Sequence, residues 1–435
     1  MAQLVLGPLL RYVGETEAVV WVETDEPCEV EVLGHRSPAF TVGGHHYGLV
    51  VIDDLEPASQ TEYGVDLDGE ARWPEPDSDY PPSVIRTLGG DHPVRLNFGS
   101  CRVSLPHHAP FTLPKDEHSE GREFDALYSL VEEMRRTDVE KWPQALLLLG
   151  DQVYADELSL ETLAFIRKRR DIRKPPGEEV ADYEEYTQLY RESWSDPPIR
   201  WLLSTVSTSM VIDDHDVHDD WNISKAWVDE MRSQDWWRDR ECGGLASYWV
   251  YQFIGNLSPD RLAESDLLEE VRAAEDGLAI LERFADRDRH LSDGERWSYC
   301  RDLGRTRLIV IDSRTGRVLA EERRSLLDDA EWEWLEEHMR GDYDHLLIAT
   351  SDPVVMARGL HHVERWGEAV SRGAWGTGFA RLGERLRRTL DLDHWAAFGD
   401  SFERFMDLLA KAGSGALGAP PATITILSGD VHHAY

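Results

Sequence analysis

The sequence predicts a large α/β (α+β) domain with flanking helices, preceded by a small all-β sandwich of immunoglobulin or fibronectin type. Three observations predict it. Residues 1–90 consist of short β-type runs separated by turn-prone Gly, Asp, Glu and Pro, at the spacing expected of a sandwich. From residue 91 onward, apolar runs alternate with helical spacing, which is the mark of strands buried on both faces. Several of those runs end in Asp, His, Cys or Tyr.

The elements follow in order. In the first region the runs are "GPLLRYVGETEAVVWVET", "CEVEVLG", "HYGLVVIDDL" and "TEYGVDLDG", with polar alternation, and "WPEPDSDYPPS" (73–83) is an extended linker. The second region, 91–435, opens with the strand "VRLNFGSC" (94–101). Phe124, Leu127, Tyr128, Val131 and Met134 then follow helical spacing. The continuous run "QALLLLGD" (144–151) is a buried strand. Further strands are read at "SMVID" (209–213), "TRLIVIDSR" (306–314), "HLLIATSD" (345–352) and "TITILSGDVHH" (423–433), with a helix over 379–395. Two long helical insertions, about 157–205 and 225–300, interrupt this order. The first carries the basic island "RKRRDIRK", read as a solvated helix face; the second is rich in Trp.

Composition narrows the function. The formal net charge is −37, from 83 Asp and Glu against 46 Lys and Arg. Such a field repels nucleic acid and anionic lipid, so no nucleic-acid-binding surface is expected, and an anionic substrate needs local positive charge such as bound metal ions. The four cysteines, Cys28, Cys101, Cys242 and Cys300, form no CxxC and no disulfide framework. The N-terminus has no basic n-region and no signal-length apolar run, and no stretch is apolar enough for a membrane span. A cytoplasmic protein is expected, unless a leader has been removed.

Functional groups in α/β sheets lie just beyond the carboxyl ends of strands. Here those ends deliver Cys101; Asp151 and Tyr154; Asp213, Asp214, His215 and Asp216; Asp312 and Arg314; and Asp430, His432 and His433. One Gly-Asp after a strand is usually a turn, but recurrence at separate strand ends points to a metal site. A trivalent iron lowers the pKa of phenol and thiol enough to bind Tyr and Cys as anions. Carboxylates and imidazoles complete such sites, and a carboxylate between two metals can bridge them.

The order SCR…GDQVYAD…DDHDVHDDW…DSR…GDVHHA resembles the PhoD-like (alkaline phosphatase D) family of calcineurin-like metallophosphoesterases, related to purple acid phosphatases. The resemblance spans about residues 94–435, and a β-domain ahead of the catalytic domain also fits it. It implies a metallophosphoesterase sandwich in which metal-bound hydroxide attacks the phosphorus of a small phosphate ester in line. Carried over residue by residue, Cys101 and Tyr154 would bind an iron-type metal, Asp151 would bridge, and His432 would complete the iron side. Asp214 and Asp430 would bind the second metal. His215 would face the phosphate or protonate the leaving oxygen. Carboxylates at 214 and 430 suit a hard ion such as Ca²⁺, so Fe³⁺ with Ca²⁺ is expected, with Mn²⁺, Zn²⁺ or Mg²⁺ as alternatives.

Three departures stand out. Ser351 and Asp352 occupy the place of the superfamily's remaining second-metal His, and Asp352 could substitute. Residue 102 is Arg where relatives often have Gln; Arg102 would bring positive charge beside the phosphate, or form a surface ion pair. The chain stops at Tyr435, where such a sandwich normally has more strands. Arg314, oriented by Asp312, is read equally as a phosphate contact and as a buried ion pair. Trp395 and Arg404 are read equally as pocket-mouth and core residues. The rival functions are a phospholipase-like or diester-specific hydrolase, with the Trp-rich insertion shaping an apolar pocket, and an inactive metal-binding or interaction protein of the same fold.

Overall fold

The computed structural model describes residues 1–89, 93–288 and 296–430. The first strands are β1 (Leu4–Val13), β2 (Ala18–Thr24), β3 (Glu29–Val32), β4 (His35–Pro38), β5 (Phe40–Val42), β6 (His45–Ile52), β7 (Gln60–Glu62), β8 (Val65–Leu67), β9 (Glu70–Trp73) and β10 (Val84–Arg86). They form the antiparallel sheets β1-β2-β6-β5 and β4-β3-β8-β9, with a separate β10-β7 pair. Val20, Val22, Val30, Val50, Ile52 and Val65 fill the space between the two larger sheets.

The polar alternation expected here fails on β2, which is buried at all positions. Its other face, with Val19 and Trp21, joins a core that runs on through Met210, Ile212 and Tyr251. The sheet therefore packs against the α/β region where a free-standing sandwich would meet water. The stretch 73–83 is docked too: Tyr80 stacks on Trp201 with ring centroids 5.5 Å apart, and the Trp201 indole N–H donates to the Pro81 carbonyl at 2.7 Å. Tyr63 donates to the Ser204 carbonyl at 2.6 Å.

The α/β region holds β11 (Leu96–Gly99), β12 (Ala145–Leu149) and β13 (Ser207–Val211), all parallel in the order β11-β12-β13. A second sheet, β14-β15-β16-β17, is built from Tyr299–Leu303, Thr306–Ile311, His345–Thr350 and Thr423–Ser428. Its last three strands are parallel, and β14 is antiparallel to β15. β14 falls at the end of the stretch read as helical insertion; its BiBeB burial alternates as a strand does. Leu147, Leu149, Val211, Leu308, Val310 and Leu427 pack between the two sheets, each buried side chain contributing about 1.5–3 kcal/mol.

Parallel strands within each sheet bring the segments after β11, β12, β13, β16 and β17 to one rim. Gly150 (φ +94°) makes that convergence possible, because a Cβ there would lie 2.4 Å from Asp213 Cβ. Gly429 is equally confined: its Cβ would meet the Leu149 carbonyl oxygen at 2.6 Å. The insertions are helical, including Tyr183–Trp194 and Trp237–Ser247, the latter running into a π-helical turn at Tyr248–Phe253. The basic island is largely exposed, and two of its arginines turn inward: Arg169 and Arg170 both reach buried Glu185 at 2.9 Å. Trp227, Trp237 and Trp249 are buried core residues. No helix among the described residues is long and apolar enough to cross a membrane.

Candidate metal centre

Two overlapping groups of ligand-type side chains sit on the rim. Cys101, Asp151 and Asp430 each offer an atom within 4.8 Å of the others, and so do Asp151, Asp213, Asp214 and Asp430. Asp151 belongs to both groups. It comes from the end of β12, Cys101 from β11, Asp213 and Asp214 from β13, and Asp430 from β17. Cys101 (φ 56°), Asp151 (φ 50°) and Asp430 (φ 72°) all adopt left-handed backbone. Asp tolerates that region through its short polar side chain, whereas for Cys it is strain of about 1–3 kcal/mol of the kind found at functional sites.

Backbone contacts hold these loops. Cys101 N–H donates to the Gly150 carbonyl (3.2 Å), Arg102 N–H to the Asp151 carbonyl (3.1 Å), and Gly429 N–H to the Ser351 carbonyl (3.0 Å). The Asp430 N–H reaches Ser100 Oγ at 3.2 Å. Asp216 is the clasp. Its carboxylate accepts from the backbone N–H groups of Asp151 (3.0 Å), Gln152 (3.2 Å), Val153 (3.3 Å) and Asp213 (3.0 Å), so one side chain joins the ends of β12 and β13.

The donor set fits hard cations. Asp151 is fully buried, and among the described residues neither of its carboxylate oxygens has a hydrogen-bond partner; Asp213 Oδ2 has none there either. A buried carboxylate with no partner costs several kcal/mol unless something positive compensates it. Burial, then the neighbouring Asp214 carboxylate, pushes Asp151 well above the ordinary carboxylate range. Burial and the Asp151 carboxylate likewise raise the Cys101 thiol and the Tyr154 phenol. Each of these protons would be displaced by a cation, as thiolate, phenolate and carboxylate ligation requires. Tyr154 and Cys101 border the same groove. His432, expected to complete the set, lies outside the described residues.

The groove holds about 1300 Å³ and is bordered by Cys101, Arg102, Tyr154 and His215, with Phe98, Phe124 and Val355 as apolar wall. His215 Nδ1 is 3.0 Å from Asp156 Oδ1, and its ring lies against Tyr154 at 4.6 Å. Burial opposes a charge on His215, but the Asp156 hydrogen bond and the Asp214 carboxylate outweigh it and raise its pKa to about 11. Arg102 lines the groove while its guanidinium is held by Asp125 (2.8 Å) and the Ser193 carbonyl (2.6 Å).

Of the two readings of Arg314, the structure shows the buried ion pair. Arg314 is 1% exposed and spends its guanidinium on Asp213, Asp393, Asp352 (3.1 Å) and Asp214 (3.6 Å). Asp352 is held between Arg314 (3.1 Å) and Arg317 (2.8 Å) and lies outside both groups of ligand-type side chains found among the described residues. Asp312 receives the Arg314 and Thr315 N–H groups and so shapes the turn. Trp395 is fully buried against Phe405 and belongs to the core, whereas Arg404 is exposed, its guanidinium lying over the Trp332 ring. His394 escaped the sequence reading. Its Nε2 lies 2.8 Å from Asp430 Oδ2 and its Nδ1 faces Glu364, a carboxylate–imidazole relay onto a candidate ligand. The Asp-His beside Trp395 in "DLDHW" was its signal in the sequence.

Comparison with known proteins gives the family and the fold. The profile of the PhoD-like phosphatase family matches residues 119–435, and that of a domain of unknown function, DUF7800, matches residues 1–85. No curated protein matches the chain. Among solved structures, a structure of PhoD is similar at 14% identity and a TM-score of 0.59, over 98% of this chain and 72% of that one. The purple acid phosphatase PPD1 from yellow lupin (Lupinus luteus) seeds aligns at 12% identity and a TM-score of 0.43, over 84% of this chain and 56% of its own. The PhoD likeness is one of fold, and it takes in the N-terminal sheets.

Proposed function

We propose, from the premise that this chain belongs to the PhoD-like phosphatase family, that it hydrolyses small phosphate esters at a two-cation centre built on Asp151. The observation that carries this reading is the Asp151 carboxylate, fully buried without a hydrogen-bond partner among the described residues and within ligand reach of Cys101, Asp214 and Asp430. Cys101, Tyr154 and Asp151 would hold an iron-type ion, with His432 completing it. Asp151, Asp214 and Asp430 would hold a harder ion such as Ca²⁺. Cations held there would supply acidity to a bound water and positive charge for the phosphoryl oxygens.

The chain's own residues do the rest. Asp156 fixes His215 through Nδ1 and leaves Nε2 to hold a proton for the leaving oxygen. Arg102 adds positive charge at the groove wall. Phe98, Phe124 and Val355 offer an apolar surface for the ester's organic part. That wall favours one second reading, a hydrolase of diesters with an apolar arm.

A panel of p-nitrophenyl mono- and diesters, run beside metal analysis of the purified protein, tests both readings. Turnover of monoesters supports the first, and turnover confined to diesters supports the second. Absence of bound metal under every loading condition overturns both. Inactivity of the metal-loaded, folded protein on the whole panel would instead mark a binding protein of this fold. An iron-loaded protein should show phenolate-to-iron charge-transfer absorption, and Tyr154→Phe should abolish it; an unchanged band removes Tyr154 from the ligand set.

A further inference from the structure

Behind the clasp of Asp216 lies a second layer of fully buried polar groups. Gln252 sits in the π-helical turn Tyr248–Phe253 and is 0% exposed. Its Nε2 donates to Asp216 Oδ1 at 3.0 Å and to the Tyr190 hydroxyl at 2.9 Å. Single π turns are rare, recur at functional sites, and disturb the carbonyl pairing of the helix they interrupt. Here the carbonyls of Tyr251 and Gln252 are taken by Arg11, which arrives from β1 in the N-terminal sheet. Arg11 also donates to the Thr208 carbonyl on β13 (3.0 Å) and to Asn256 Oδ1 (3.1 Å). Asn256 in turn grips Met210 of β13 through both backbone groups, at 3.0 and 2.7 Å. Arg11 is 0% exposed, and no ion pair is formed by it among the described residues.

A buried arginine satisfied by carbonyls alone is costly. Surface packing of one domain on another does not call for one. It does fix in place the carbonyls of an irregular turn. From these contacts we infer that Arg11 and Gln252 are positioning residues for the metal centre. The N-terminal sheet holds the π turn, the π turn aims Gln252, and Gln252 fixes the carboxylate that joins the loops of Asp151 and Asp213. This gives the β-region a role in ligand geometry; it rests on the proposed function only in taking Asp151 as a metal ligand. Outer-shell groups of this kind change metal affinity by about 10- to 100-fold when removed.

The test titrates the full-length metal-free protein with Co²⁺ and reads affinity and the visible d–d bands, with thermal melting in parallel. Arg11→Met and Gln252→Leu should each weaken Co²⁺ binding by about 10-fold or more and alter the bands. Arg11→Lys should recover part of the loss. Tyr63→Phe, which cuts the 2.6 Å tie to Ser204 in the same inter-region contact but touches no part of this chain of bonds, should leave affinity and bands as in the wild type. Wild-type binding and spectra in both Gln252→Leu and Arg11→Lys overturn the inference even if Arg11→Met fails to fold. Equal losses in Tyr63→Phe also overturn it, since they would mean general loosening. Failure of the wild type itself to bind any metal would sink the proposed function instead.

Discussion

Two sets of buried carboxylates lie side by side at the strand ends and are treated in opposite ways. Asp393 and Asp352 sit between Arg314 and Arg317, and although burial opposes the charge on Asp393, the two guanidinium groups hold its carboxyl well below the usual range. Asp151 has the same burial, no hydrogen bond to either oxygen among the described residues, and a carboxyl pushed well above that range by burial and by Asp214. Burial alone therefore does not mark the site. The chain neutralises one set with its own arginines and leaves Asp151 short of positive charge, and that deficit is where an external cation would fit. The extreme acidity of the sequence blurs this distinction, which appears only when each carboxylate is matched with its partners.

The largest effect should come from removing the uncompensated group. Asp151→Asn keeps the shape and takes away the charge that both ligand groups share. Turnover of any panel substrate should fall roughly 10⁴-fold, and metal analysis should show loss of bound ion. In metal-free protein the sign reverses. The folded value of Asp151 lies above its ordinary value near 3.9, so its contribution to stability is full below about pH 4 and is lost as pH rises. Denaturation of the metal-free variant at alkaline pH should thus give higher stability than the wild type. Retention of metal with lowered stability would mean that Asp151 is compensated from within the protein.

Arg314→Met breaks the compensated side. It strands Asp213 in the interior, leaves Asp352 and Asp393 to Arg317 alone, and should cost about 3–5 kcal/mol in denaturant unfolding, with or without metal. A loss of activity at unchanged stability would return Arg314 to the substrate. This side of the rim was the less legible one in the sequence. Strand ends could be read because period and apolar run fix where a parallel strand stops, and Cys101, Asp151, Asp214 and Asp430 do converge. The partners of Arg314 come from positions 213, 214, 352 and 393, and no local pattern joins them. The clasp of Asp216 was hidden for the same reason, since backbone N–H groups carry no sequence signal. β2 was misread because its second apolar face could be explained only by a neighbour distant in sequence.

A third buried carboxylate sharpens the comparison, because its compensation depends on a proton. Glu23 is 0% exposed on β2 and is met by His45 Nδ1 at 3.1 Å and by Arg191 at 3.3 Å. The other nitrogen of His45 reaches Glu184 at 2.7 Å, on the helix Tyr183–Trp194. Burial alone would lower the His45 pKa, but the hydrogen bonds to Glu184 and Glu23 outweigh it and raise it to about 9. The folded value stands above the unfolded value of about 6.5. Its contribution is therefore complete below about pH 6.5 and lost as pH climbs through 9. On the order of 2 kcal/mol should disappear across that window. His45→Gln should start lower and flatten this limb, as read by chemical denaturation between pH 6 and 10. Asp393 should show no such limb, since its arginines keep their charge throughout. An unchanged slope in His45→Gln would mean that Arg191 alone balances Glu23, and the contact between the N-terminal sheet and the helix would then resemble the Arg314 side.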